Sequence, residues 1–321
     1  MMTKWLKPSL FTSKAWPGLF LLVLIAASPL YPADAADTPR YLVGYAQDTM
    51  SNDWRAAQVR QLQQAFSKYP DIRFIYTDAR GDATKQIKDI EDLAYQKVDV
   101  LITSPRDAIL STQAISRVYQ SGIPVVLITR AIRSDHYTSL VAPNDRQIAK
   151  KAARYMADKM NHKGNILMLK GVPTATTAIA RTEGFLDEIS NYPGINVVAI
   201  RDANYLRADA IKAVESVISQ GIQFDAIYAQ SDSMASGARL ALKKAGINTK
   251  ELLIVGIDYI SEAREAIRLG EQDASFLYPT SAQQTVETVV KILHGKQVNK
   301  RVEVDSLLIT RENVNKVEPI F

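Results

Sequence analysis

Val125-Val126-Leu127-Ile128-Thr129-Arg130 is the stretch that decides the fold: four apolar residues stop abruptly on two that form hydrogen bonds. The pattern already stands upstream, in Leu42-Val43-Gly44-Tyr45 before Gln47-Asp48, Phe74-Ile75-Tyr76 before Asp78, and Val100-Leu101-Ile102 before Ser104-Pro105-Arg106. Each run reads as a buried strand with a polar end. The stretches between them read as helices, so the strands should pair in parallel and bring their polar ends to one edge of one sheet. In such sheets that edge is where ligands bind.

The second half repeats the pattern. Leu167-Met168-Leu169 runs into Lys170-Gly171, Ile227-Tyr228-Ala229 into Gln230-Ser231-Asp232, and Val255-Gly256-Ile257 into Asp258. Helices are expected over about 54–69, 82–96, 107–121, 144–161, 177–191, 207–220, 232–245, 260–269 and 281–293. Further strands are expected at 165–169, 196–200, 225–229, 252–257 and 274–277, with one last strand near 302–309. Gly122-Ile123-Pro124, His162-Lys163-Gly164, Tyr192-Pro193-Gly194 and Ala245-Gly246 mark tight boundaries. No low-complexity linker divides the chain, so two lobes would be joined by tight crossings and not by a floppy tether.

The N-terminus carries Lys4, Lys7 and Lys14, then the apolar stretch Leu19–Ala27, then small residues at Ala33-Asp34-Ala35. That order is expected of a cleavable export signal over residues 1–35, placing the protein in the periplasm, with an uncleaved anchor as the alternative. The stretch falls short of the roughly 20 residues that span a bilayer. With no cysteine in the chain, disulfides, thiol catalysis and a lipoprotein anchor are excluded. Without the leader, 36 Lys and Arg face 33 Asp and Glu, a balance of +3. A near-neutral surface with no basic tract argues against nucleic acid. About 285 residues then remain, enough for two domain cores.

Two polar edges facing one another would enclose a cleft of carboxylates, guanidinium groups, amides and rings. Such a mixture suits a small polyhydroxylated ligand, because hydroxyls need bidentate acceptors and fork donors while C–H faces need flat rings. Trp54, Arg55, Arg130, Tyr205, Asp232, Asp258 and Tyr278 are the candidates. Each has a plainer reading. Trp54 could staple a helix start, Arg55 could be a solvated flank, and Asp232 and Asp258 could be N-caps. Arg130 could form a surface salt bridge. With ligand contact as their role, Trp54→Ala and Arg130→Ala should abolish binding and leave the unliganded melting point nearly unchanged.

Enzyme signatures are missing. There is no GxGxxG after a strand, no GxxxxGK[ST], no GxSxG and no HExxH. His136, His162 and His294 are too scattered for a metal site. Neither a catalytic residue nor a cofactor is expected.

Together these residues resemble the type I periplasmic sugar-binding proteins, among them the ribose-, galactose- and galactofuranose-binding proteins. The resemblance runs from Tyr41 to Thr310. It rests on Gly44-Tyr45-Ala46-Gln47 with Trp54-Arg55 following, on Gly122 through Arg130, on Arg181-Thr182-Glu183-Gly184-Phe185, on Ala229 through Ala238, and on Val255-Gly256-Ile257-Asp258. The segment Ala274 through Thr280 is also similar to a subgroup that includes sensor domains of hybrid two-component systems. The resemblance implies that Gln47, Trp54, Arg55 and Arg130 hold a sugar from one lobe, with Tyr205 and Asp258 opposite. Asp48, Arg106, Asp232 and Tyr278 complete the expected ligand-binding set.

There are four departures. Thr129-Arg130 stands where the family usually has Asp-Arg, so a bidentate acceptor is gone. Asn144-Asp145 stands where Asp-Asn is expected, Ile179 where several members carry a ligand-holding arginine, and Ser231 where ribose-type members have asparagine.

The implied fold is α/β: two Rossmann-like lobes with parallel sheets, joined by a three-stranded hinge. The crossings should lie near 142–144, 277–278 and 304–306, giving one lobe of 40–142 plus 278–304 and another of 143–277 plus 305–321. The implied function is capture of a small sugar or related polyol, a furanose or pentose included, and its presentation to the permease of an ABC importer by a monomeric protein. The alternative is a sensory binding protein that signals occupancy to a membrane histidine kinase or chemoreceptor.

Overall fold

The computed structural model describes residues 39–321, and the expected leader lies outside them. The described chain folds as β1 (Tyr41–Gln47), α1 (Asp53–Phe66), β2 (Ile72–Asp78), α2 (Ala83–Tyr95), β3 (Val100–Thr103), α3 (Leu110–Gln120), β4 (Val125–Ile128) and β5 (Ser139–Ala142). Then come α4 (Asp145–Lys159), β6 (Gly164–Lys170), α5 (Thr176–Ile189), β7 (Ile195–Asp202), α6 (Arg207–Ser219), β8 (Ala226–Ala229) and α7 (Asp232–Lys244). The series ends with β9 (Leu253–Asp258), α8 (Ser261–Leu269), β10 (Ala274–Leu277), α9 (Ala282–Leu293), β11 (Arg301–Glu303) and β12 (Leu308–Thr310).

Two six-stranded sheets result. Their orders are β2-β1-β3-β4-β5-β11 and β7-β6-β8-β9-β10-β12. The strand runs carry residues buried on both faces, as in Val100-Leu101-Ile102 and Val125-Val126-Leu127-Ile128, because helices cover each sheet on either side. Each sheet reverses its order beside its first strand, at β1 and β3 and again at β6 and β8. A doubly wound sheet opens its ligand crevice at such a switch point.

The chain passes from one sheet to the other three times: between β5 and α4, between β10 and α9, and between β11 and β12. Here the structure departs from the single last strand expected near 302–309. Val304 through Leu307 spans the two sheets, so β11 pairs in parallel with β5 while β12 pairs antiparallel with β10. Ser139–Ala142, not separately expected as a strand, fills the place between β4 and β11.

Two cores, one on each side of the first sheet, gather Val43, Tyr45, Leu62, Val126 and Val286, and Ile90, Leu101, Ile115 and Leu127. The second sheet is likewise sandwiched between a core around Met156, Phe185 and Tyr228 and another around Leu167, Val214 and Leu242. Among the described residues no helix is long and apolar enough to cross a membrane.

Candidate functional site

The polar strand ends of the two sheets meet. Asn52, the N-cap of α1, accepts from the Arg55 N–H at 3.1 Å and donates its amide to the Tyr205 carbonyl at 2.6 Å. Thr174 donates to the Arg106 carbonyl at 3.1 Å, the Ala108 N–H donates to the Thr174 carbonyl at 3.2 Å, and the Ala131 N–H donates to the Thr176 hydroxyl at 2.9 Å. These bonds close the two edges over a cavity. It leaves about 50 Å³ open to the centres of water-sized molecules, several-fold the roughly 10–15 Å³ that a single water requires.

Asp48, Trp54, Arg55, Arg106, Arg130, Tyr205, Asp258 and Tyr278 line the cavity. Of the ten expected residues, Gln47 and Asp232 do not. Gln47 ends β1 and turns inward, accepting from the Asp48 N–H at 2.8 Å. Asp232 is 1% exposed and lies behind the cavity wall, where it accepts from Ser275 at 2.6 Å and Gln272 at 2.8 Å. Its other bond comes from the Tyr259 N–H at 2.6 Å. It is not the helix cap either, because Ser231 caps α7.

At the first edge a single carboxylate serves two guanidinium groups. Asp48 takes Arg130 Nη1 at 2.8 Å and faces Arg55 Nε at 3.4 Å. Arg55 also donates to Ser104 at 2.9 Å and to Thr129 at 3.3 Å. Burial works to raise the Asp48 carboxyl, but Arg130 and Arg55 outweigh it and hold the group below its usual range. Neither arginine is solvated: Arg55 is 6% exposed and Arg130 2%. Thr129, where the resemblance expects an aspartate, brings no carboxylate, and the one at this edge comes from Asp48, just after β1. Asp48 Oδ1 and Arg130 Nε remain buried without a hydrogen-bond partner.

The opposite wall is aromatic and cationic. The Tyr205 ring lies 5.8 Å from the Arg130 guanidinium and 5.9 Å from that of Arg181. Gly171 makes room for it, since a Cβ there would come within 2.0 Å of the ring. Trp54 donates its indole N–H to the Tyr278 carbonyl at 3.1 Å, and the two rings are 5.6 Å apart. Trp54 therefore belongs to a core cluster and lines the cavity as well. Burial drives the Asp258 carboxyl well above its usual value despite nearby Arg181, and neither of its oxygens takes a side-chain hydrogen bond from the described residues.

Four lining residues, none of them glycine, adopt positive φ: Thr129 at 63°, Asn204 at 51°, Tyr205 at 63° and Asp258 at 125°. Such backbone is costly and collects at functional sites. It also aims these side chains off the ends of their strands.

Arg181 is the main cavity residue that the sequence reading left out of the expected set. On α5 it lies four residues after Thr177, one helical turn along the same face, and both line the cavity. Ile179, the position compared with the family's arginine, does not. The helical spacing of Thr177 and Arg181 was the available signal. Asn52, Thr49, Asn204, Ser231 and Val172 also contribute to the lining. Among the described residues no group of His, Cys, Asp and Glu is placed to hold a metal ion.

Two parallel-rich α/β lobes closing their polar edges on a cavity define a hinged ligand-binding fold. The chain belongs to the periplasmic binding protein family, whose domain model matches residues 43–297. It is 28% identical to the ribose import binding protein of Bacillus subtilis over 305 residues, covering 92% of this chain and 96% of that one. With the galactofuranose-binding protein of Escherichia coli it shares 28% identity over 264 residues, or 79% of this chain and 82% of the relative.

Solved structures agree on the fold. The fructose-binding periplasmic domain of a hybrid two-component system superposes with a TM-score of 0.82 at 30% identity, covering 86% of this chain and 92% of that one. An ABC transporter solute-binding protein from Bacillus halodurans with bound myo-inositol gives 0.82 at 27%, covering 86% and 96%.

Proposed function

We propose that this protein is a solute-binding protein that captures a monosaccharide or related polyol in the cavity and delivers it to an ABC importer. The observation that carries this reading is the Asp48–Arg130 pair lining the cavity, a carboxylate that accepts beside a guanidinium that donates. A hydroxyl can donate to one and accept from the other. Four guanidinium groups, of Arg55, Arg106, Arg130 and Arg181, face the carboxylates of Asp48 and Asp258 across the lining, a set of fork donors suited to a ligand rich in oxygen acceptors. The relatives named for ribose and galactofuranose support the ligand class.

Closure follows from the same contacts. A ligand touching both edges binds the closed form better than the open one, and that difference shifts the population. The moving bodies are read as 40–142 plus 278–304 and 143–277 plus 305–321, in a monomer released to the periplasm by cleavage near Ala35, with no catalytic role. The fructose-binding relative is part of a signalling system and keeps one second reading in view, docking of the loaded protein on a membrane kinase. Neighbouring genes separate the two, a permease and ATPase pointing to import.

The test is a thermal-shift panel of pentoses, hexoses, sugar acids and polyols. A ligand that binds only the folded state at a hundredfold excess over its Kd adds about 2.7 kcal/mol and raises the melting point. If no sugar or polyol shifts it while another solute class does, the carbohydrate reading falls. Turnover of the bound sugar would overturn the non-enzymatic one.

A further inference from the structure

Asp145 opens α4, immediately after the first passage between the sheets. Its two oxygens point to different places. Oδ1 accepts from Arg181 Nε at 2.7 Å, and Oδ2 accepts from the Tyr278 hydroxyl at 3.2 Å. Tyr278 lies at the start of the second passage, directly after β10. Its ring also lies 4.4 Å from the Arg181 guanidinium, so the three side chains form a closed buried triangle. Arg301, which opens β11 just before the third passage, donates to the Pro143 carbonyl in the first at 3.3 Å.

Asp145 does not line the cavity, whereas Arg181 and Tyr278 both do. Burial opposes the charge on Arg181, but Asp145, together with Tyr205, Tyr278 and Asp258 around it, outweighs that burial and holds the guanidinium charged. A guanidinium drawn toward a ligand must therefore pull on a carboxylate that is bonded to the hinge.

We propose that Asp145 is a positioning residue that ties the cavity guanidinium of Arg181 to the hinge at Tyr278, so that engagement of Arg181 and closure of the lobes are one event. This rests on the reading of the cavity as the ligand site. Loss of the carboxylate leaves Arg181 uncompensated and the two passages unlinked, which favours the open form. Tyr278→Phe removes the hinge bond alone and keeps the ion pair, so it separates the link from simple charge compensation.

The chain has no cysteine, so Tyr95→Cys and Leu240→Cys, at exposed positions on α2 and α7, admit a pair of labels for single-molecule distance measurement. In the ligand-free protein, Tyr278→Phe and Asp145→Asn should each raise the ratio of open to closed molecules by about fivefold or more, the lower end of ordinary coupling between sites. The double variant should do no more than Asp145→Asn alone. An unchanged distribution in Tyr278→Phe, or effects that multiply in the double variant, would overturn the proposal. The measurement uses no ligand, so failure of the sugar panel and failure of this link are read separately.

Discussion

Asp232 accepts the backbone N–H of Tyr259 at 2.6 Å, and Tyr259 directly follows Asp258, whose φ of 125° turns it into the cavity. A residue without access to the cavity thus fixes the backbone of one that has it. Asp232→Ala strands the Tyr259 N–H, Ser275 and Gln272 in a buried space and should cost about 2–4 kcal/mol of stability, measured by denaturant unfolding. An unchanged midpoint would remove Asp232 from that role.

Burial pushes the Asp232 carboxyl up to about 6. A folded-state value raised above the unfolded one means that the group favours the fold when protonated. The associated stability is complete below pH 3.8 and is lost as pH rises to about 6. The gap amounts to about 3 kcal/mol. Asp232→Asn should remove that decline between pH 4 and 6.5, and parallel unfolding curves for the two proteins across this range would contradict it.

Burial revises the expectation that Arg130→Ala leaves the unliganded protein untouched. With Arg130 gone, Asp48 keeps only the longer contact to Arg55, and breaking a buried ion pair costs about 3–5 kcal/mol. The melting point should fall along with binding. Trp54→Ala should likewise cost about 3–5 kcal/mol, since it empties a core position. Calorimetric unfolding without ligand measures both.

Arg106 offers the cleaner probe. It is only half-buried, lines the cavity, and makes no side-chain hydrogen bond or ion pair with the described residues. Arg106→Ala should change stability by about 0.5 kcal/mol or less while weakening the best sugar of the panel. Titration calorimetry showing unchanged affinity would place Arg106 outside the site.

Gly171→Ala tests the aromatic wall. The added methyl falls 2.0 Å from the Tyr205 ring, so the ring must move away from Arg130 and Arg181. Binding should be lost while far-UV dichroism stays that of the parent. Retained affinity would show that Tyr205 does not cap the ligand.

The strand runs were legible because helices cover both faces of each sheet, leaving a short apolar stretch and an abrupt end. Asp48, Arg130 and Asp258 followed from those ends. Asp232 looked identical in sequence, and only the fold shows it turned behind the wall toward Ser275 and Gln272. Arg181 was left out because helical phase, more than alignment by neighbouring letters, decides which residue of α5 faces the cavity. By pattern alone the last strand was read as one, because its apolar and polar residues carry no mark of a change of sheet at Val304, and only the resemblance placed a crossing near 304–306.

The interleaving of the two sheets sets an order on folding. The core against the first sheet takes Ala282, Val286, Val289 and Val304 from the far end of the chain, and β11 completes that sheet only after all but the last strand of the other have been made. Contacts so distant in sequence form slowly, because loop closure precedes their reward. Neither half of the clamp can finish until almost the whole polypeptide exists. The first sheet must therefore wait, with five of its six strands already made, until the chain returns from the second to lay down β11.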